Sequence, residues 1–261
     1  MSERSARLSP GRGLLSGSLT LVLLVLLWQL CSRRLPSLQF VASPTEIAGG
    51  QQELWRSGLL LPPLIHTLGV VGFSWAISLV AGLMLGAVLG LNGRLSRWST
   101  PSIEVARMVP VVAFVPLAVL LFGTSAKAEI LIVGYAAFWP VLVASKSAVE
   151  NISKHMLEAA GQFGLGRIRT LFSVVLPAAA PSMLVGARLS AGLALAVAIV
   201  TEMVGNPAGL GFGIVTAQGA VQPELMWAYV VIVAALGVAV NALVSGIGNT
   251  LPGIKGRGVR R

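Results

Sequence analysis

Long apolar blocks alternate along the chain with shorter polar or basic connections. The blocks near 14–30, 67–91, 103–122, 128–149, 182–204 and 225–247 each come close to the roughly 20 residues that one crossing of a hydrocarbon layer needs. A backbone in lipid must pair its own N–H and C=O groups, so each block is predicted to be a helix, not an open strand. The expected fold is an all-α integral membrane protein with about six transmembrane helices. Gly82, Gly86 and Gly90 recur at four-residue steps, a spacing that puts them on one face and predicts close approach of a neighbouring helix.

Two connections are long. The segment 32–66 contains Pro36, Pro44, Pro62 and Pro63, which favour turns and short irregular pieces, with a surface helix expected from Thr45. The segment 150–181 is the other. The remaining connections leave no room for a second soluble domain, so 1–261 reads as a single transmembrane unit, with polar tails at 1–13 and 248–261.

Composition supports this reading: 55% of residues are hydrophobic and only 11% charged, the balance of a chain solvated mainly by lipid. A net charge of +10 raises the question of nucleic acid. The basic residues lie between apolar blocks, not on one face of a compact domain, so topology explains them and nucleic acid is excluded as a partner. With the amino end inside the cell, the cytoplasmic side receives Arg94, Arg97, Arg107, Lys146, Lys154, Arg167, Arg169, Arg188 and the basic residues of both tails. Only Arg33, Arg34, Arg56 and Lys127 fall outside, which places both termini in the cytoplasm. The basic start followed by 14–30 lacks a small-residue cleavage site before Cys31, so it is expected to remain as the first span. Cys31 is the sole cysteine, which rules out an internal disulfide and a thiolate metal cluster.

The cytoplasmic connection carries the most specific pattern. Ser153 is a predicted helix cap, and Met156, Leu157, Ala160 and Phe163 form one short apolar face. Gly161, Gly164 and Gly166 then stop the helix after about three turns. A short helix held between two spans and aimed at the cytoplasm suits a mechanical contact with a soluble protein. Glu158, Ala159, Ala160, Gly164, Val174, Leu176 and Pro177 match, with valine for isoleucine, the E-A-A, three residues, G, nine residues, I, one residue, L-P signature. In this the chain resembles the permeases of ATP-binding-cassette (ABC) importers. A looser similarity over 41–244 is to the branch that handles sulfonates, taurine and nitrate. It includes Val109, Pro110, Val112, Ala113, Phe114, Val115, Pro116 and Leu117, then Phe138, Trp139 and Pro140, and finally Thr201, Glu202, Met203, Gly209, Leu210 and Gly211.

The resemblance implies a type I importer permease fold in a bacterial inner membrane, with the loop around Glu158 acting as a coupling helix for the ATPase. It also implies two ATPase subunits, a second permease copy and an external solute-binding protein. No G-x-x-x-x-G-K-[ST] loop occurs, so ATP and Mg²⁺ are expected on the ATPase, and this chain is expected to be no enzyme and to hold no cofactor or metal. Pro110, Phe114, Pro116, Arg188 and Glu202 are the candidates for the translocation path. For the prolines a packing kink is the competing reading, for Arg188 snorkelling to the interface, and for Glu202 structural pairing. His66 and His155 read as isolated surface residues. An ion-coupled secondary carrier is the rival, but it calls for midplane ionisable groups and inverted repeats that the sequence does not display.

Overall fold

The computed structural model describes residues 10–34 and 40–250. The basic tails expected at 1–13 and 248–261 lie largely outside them. The described helices are α1 (Pro10–Arg34), α2 (Pro44–Arg56), α3 (Leu61–Leu91), α4 (Gly93–Met108), α5 (Val115–Phe122), α6 (Ala126–Glu150), α7 (Lys154–Gln162), α8 (Arg167–Thr170), α9 (Leu176–Gly205), α10 (Leu210–Gly219) and α11 (Pro223–Thr250). Four of these are long and apolar enough to cross a membrane: α3, α6, α11, and α9 together with the π turn that precedes it. The bent pair α4 and α5 brings the number to five. The first expected span forms α1, where the continuous apolar stretch among the described residues is Val22–Ser32, shorter than the block read from the sequence. Leu23, Leu24, Leu26 and Leu27 are all exposed on it, as on a helix whose solvent is lipid.

The bundle is built on α6, which packs along α3 on one side and along α9 on the other. Small residues make this close approach feasible. A Cβ on Gly86 would fall 2.6 Å from Ser145 Cβ and 2.7 Å from the Leu142 carbonyl, and the same crowding recurs at Gly82 against Val141 and at Gly90 against Val149. The four-residue glycine pattern is therefore the contact line of α3 on α6, as expected. Hydroxyls and an indole tie the helices across their faces. Ser78 Oγ donates to the Gly134 carbonyl at 2.7 Å, Ser190 Oγ to Ala137 at 2.7 Å, and Trp75 Nε1 to Ala187 at 3.0 Å. In lipid, tight packing and such polar ties replace the hydrophobic drive that assembles soluble bundles. Val133, Ala137, Ala194 and Ala198 fill the core between them.

Three features depart from the sequence reading. The span expected at 103–122 is longer and broken: α4 starts at Gly93, and a 71° bend separates it from Val111–Phe122. Pro110 causes the break, because it puts Val109 in an extended conformation (φ −66°, ψ 123°) that no helix tolerates. Pro116 lies in the first turn of α5, where its missing N–H costs nothing, so it does not kink the chain. The fifth span also begins earlier than expected, since Pro177 and Pro181 fall inside α9 rather than before it. The π turn Leu171–Val175, in which the Leu176 N–H reaches the Leu171 carbonyl, widens the helix just where the Pro177 ring would crowd the preceding turn. Finally, the connection between the blocks at 182–204 and 225–247 is not all irregular. It forms α10, which packs against α9 and α11 with Leu210 and Ile214 buried.

The surface helix expected from Thr45 is present as α2. Its cap Ser43 accepts from the Glu46 N–H while Glu46 reaches back to the Ser43 N–H at 2.7 Å, a reciprocal capping box. Ile47 and Leu54 are buried beneath it, and Gly50 abuts the Glu224 carbonyl of α11.

Candidate coupling helix and translocation groove

α7 is defined at both ends by local chemistry. Ser153 is extended (φ −62°, ψ 135°) and its hydroxyl accepts from the Met156 N–H at 3.4 Å. At the far end the Leu165 N–H donates to Ala160 and the Gly164 N–H to Gly161, both at 3.0 Å, around a Gly164 with φ +69°. This is a Schellman termination, which requires a residue at positive φ just past the cap. Gly164 thus ends the helix, whereas Gly161 lies inside it, and α7 has nine residues, not three full turns. The expected apolar face divides in two. Ala160 is buried against the base of the bundle, but Phe163 is 84% exposed and Met156 and Leu157 about 40%. The tip of α7 is thus apolar and open, while its base is covered.

The remaining signature residues gather at the same end. Leu176 packs on the buried cluster of Ala148, Val149, Val175, Ala179 and Met183 where α6 ends and α9 begins. α7 itself rests on the π turn. Glu158 is two-thirds exposed and lies 3.6 Å from His155, itself almost fully exposed. Through the π turn, α7 therefore adjoins the cluster in which the end of α6 meets the start of α9.

The break at Pro110 opens a groove of about 730 Å³ between α4, α6 and α9. Its walls include Met108, Val109, Tyr135, Trp139 and Leu189, with Arg107 at its edge. Tyr135 holds the break in place: its hydroxyl donates to the Ala106 carbonyl at 2.8 Å, and its ring meets Phe114 and Trp139 edge-on at 6.3 and 5.4 Å. Arg107, counted from sequence with the cytoplasmic set, sits at the far end of α4 and pairs with Glu104. None of the path candidates lines this groove: Pro110 lies in sequence between its lining residues Val109 and Val111, and Phe114 reaches it only through its ring contact with Tyr135. Arg188 is exposed on α9 beside its lining residue Leu189, and Pro116 lies further along α5.

Glu202 stands apart from the groove. It is 1% exposed, and its two oxygens accept from Thr67 Oγ1 at 2.7 Å and from the Gly211 N–H at 2.8 Å. Thr67 in turn accepts from the Leu210 N–H, so one carboxylate joins α3, α9 and α10. Glu202→Ala strands two buried donors and is expected to cost about 3 kcal/mol, whereas Glu202→Gln keeps an acceptor for one of them and is expected to cost less. Thermal unfolding in detergent reads the difference, and equal midpoints for the two variants would remove this structural role.

His66 also departs from expectation. It is not isolated, because its Nε2 lies 2.9 Å from Glu129 Oε2, and Asn206 bonds to Glu129 as well. The signal was topological: His66 opens α3, Glu129 opens α6 and Glu202 closes α9, so antiparallel spans return all three to one end. His155 does lie on the surface.

The family model described as the binding-protein-dependent transport system inner membrane component matches residues 78–250. The chain belongs to that family of ABC importer permeases and is a multi-pass membrane transport subunit. It is 28% identical over 247 residues to a protein of Bacillus subtilis named as an aliphatic sulfonates transport permease, covering 93% of this chain and 90% of the relative. It is 27% identical to the taurine transport system permease protein of Escherichia coli, covering 82% of this chain and 79% of that one. The fold matches a chain of the MetNI methionine ABC transporter in an inward-facing conformation, with a TM-score of 0.61 and 22% identity over 70% of this chain and 92% of that chain.

Proposed function

We propose that two copies of this chain enclose a path for a small sulfonate anion, driven by two ATPase subunits that grip the α7 tips. ATP and Mg²⁺ reside on those subunits. ATP binding closes the ATPase pair and swings α7, and with it the joint of α6 and α9, so that the groove beside Pro110 is exposed to alternate sides. An external binding protein delivers the anion to the end of the bundle opposite α7. Both termini face the cytoplasm in this arrangement.

The observation that carries the reading is α7: a helix capped at both ends and seated on the central joint, with an open Phe163 tip. The sulfonate class rests on the relatives, since both the aliphatic sulfonates and taurine carry that group. Arg188, next in sequence to the lining residue Leu189, supplies positive charge close to the groove, where a permanently ionised sulfonate is attracted without need of a titrating partner, while the guanidinium of Arg107 is shared with Glu104.

The test is reconstitution in liposomes with the ATPase and the binding protein, using radiolabelled taurine and an alkanesulfonate. Uptake is expected only with ATP and all three components. Accumulation by the permease alone under an ion gradient would replace this reading with the secondary carrier.

A further inference from the structure

At the end of the bundle opposite α7, the openings of α3 and α6 and the close of α9 bring together one imidazole and two carboxylates. The ligating atoms of His66, Glu129 and Glu202 all lie within 4.8 Å of one another. Both carboxylates are buried, Glu129 with a side chain 2% exposed and Glu202 at 1%. Among the described residues, no lysine or arginine pairs with either one. Apart from His66, their partners are neutral donors: Thr67 and the Gly211 N–H on Glu202, and Asn206 on Glu129. Two carboxylates this close and removed from water stay ionised together only where a positive charge is shared between them.

The donor set points to the source of that charge. One imidazole nitrogen with carboxylate oxygens suits a zinc- or manganese-type ion, whereas magnesium and calcium favour oxygen-only shells. A tetrahedral ion with bonds near 2.0–2.1 Å holds its ligand atoms about 3.4 Å apart. The 2.9 Å separation of His66 and Glu129 and the wider separations in the group approach that spacing with small side-chain movements. The Asn206 amide is 3.4 Å from His66 Nε2, and turning it about its last bond directs Oδ1 at the same point as a fourth ligand. Thr67 and the Gly211 N–H then orient Glu202 from outside, as outer-shell partners of metal sites do. An entry route exists. A cavity of about 550 Å³ bounded by Pro62, Pro63, Pro207 and Gly209 has His66 in its wall, and that side chain is 24% exposed.

We propose that His66, Glu129, Glu202 and Asn206 bind one divalent transition-metal ion, which neutralises the buried carboxylates and pins α3, α6 and α9 together at this end of the permease. The ion is separated from the groove at Pro110 and takes no part in coupling to ATP.

The test uses tag-free permease purified in detergent, stripped with a chelator and titrated calorimetrically with Zn²⁺ and, separately, Mn²⁺. One ion per chain is expected for at least one of the two metals. His66→Asn and Glu129→Gln are expected to weaken binding by more than about 100-fold, and Thr67→Ala by only about 10- to 100-fold, the range for an outer-shell partner. His155→Asn, which alters the exposed histidine, leaves binding unchanged. Bound metal also raises the thermal midpoint of the wild type but not of His66→Asn. Absence of stoichiometric binding of both ions overturns the proposal, as does binding that survives in both His66→Asn and Glu129→Gln.

Discussion

ATP-dependent uptake collapses when Glu158→Lys and Gly164→Val are combined, with the permease still folded. Valine at φ +69° sits in a left-handed conformation that β-branched residues avoid at a cost of about 1–3 kcal/mol. The Schellman closure then gives way and the Phe163 tip is re-aimed. The lysine reverses the charge that α7 presents beside the tip. Disrupting a contact of this kind costs about 2 kcal/mol or more, which weakens the ATPase complex by about 30-fold. Binding to immobilised ATPase and uptake into liposomes should fall together. The melting midpoint should hardly move, because Glu158, Phe163 and Gly164 are exposed and lie outside both buried clusters. Unchanged ATPase binding and uptake in the double variant would end the coupling assignment.

Gly86→Leu is expected to destroy the fold itself. A Cβ here meets the Leu142 carbonyl and the Lys146 nitrogen as well as Ser145 Cβ. The first two are backbone atoms and cannot rotate away. The leucine must push α3 off α6, breaking the Ser145 hydroxyl bond to the Leu83 carbonyl at 3.1 Å and exposing the contact line on both sides of it. Overpacking alone costs about 1–3 kcal/mol, and separating the most extensively packed helix pair adds more, a large part of the roughly 5–15 kcal/mol that holds a typical domain together. The expected result is aggregated or unstable protein in detergent. Gly72→Leu, on the same helix with no atom within 4 Å of the added Cβ, should behave as wild type. A Gly86→Leu permease with the wild-type melting midpoint would contradict the contact drawn here.

The two sites differ in how readily they are read from the chain. α7 is local: Ser153 and Gly164 specify its start and end within a dozen consecutive residues, so the helix was legible, whereas the division of its apolar face into a covered Ala160 and an open Phe163 was not. The groove was only half legible. Pro110 announced a break, but the partners that stabilise it, Tyr135 on the Ala106 carbonyl and Phe114 on Tyr135, lie on a different helix. The Glu129 cluster was legible only through topology, because His66 is 63 residues from its partner and each residue alone resembles an ordinary polar group at a span end.

What this sequence determined unaided is everything governed by the solvent and by short range: the helical state, most span positions, the close-packed glycine face and the short helix α7 with its caps. Lipid forces each apolar block to satisfy its backbone internally, and caps act over three or four residues, so neither requires knowledge of neighbours. Tertiary structure alone decided which partners hold the break at Pro110, that the segment after Gly205 folds into α10, and that His66 comes together with two carboxylates. These outcomes depend on which helix ends come together, a choice set by packing between segments far apart in the chain, and no local pattern encodes it.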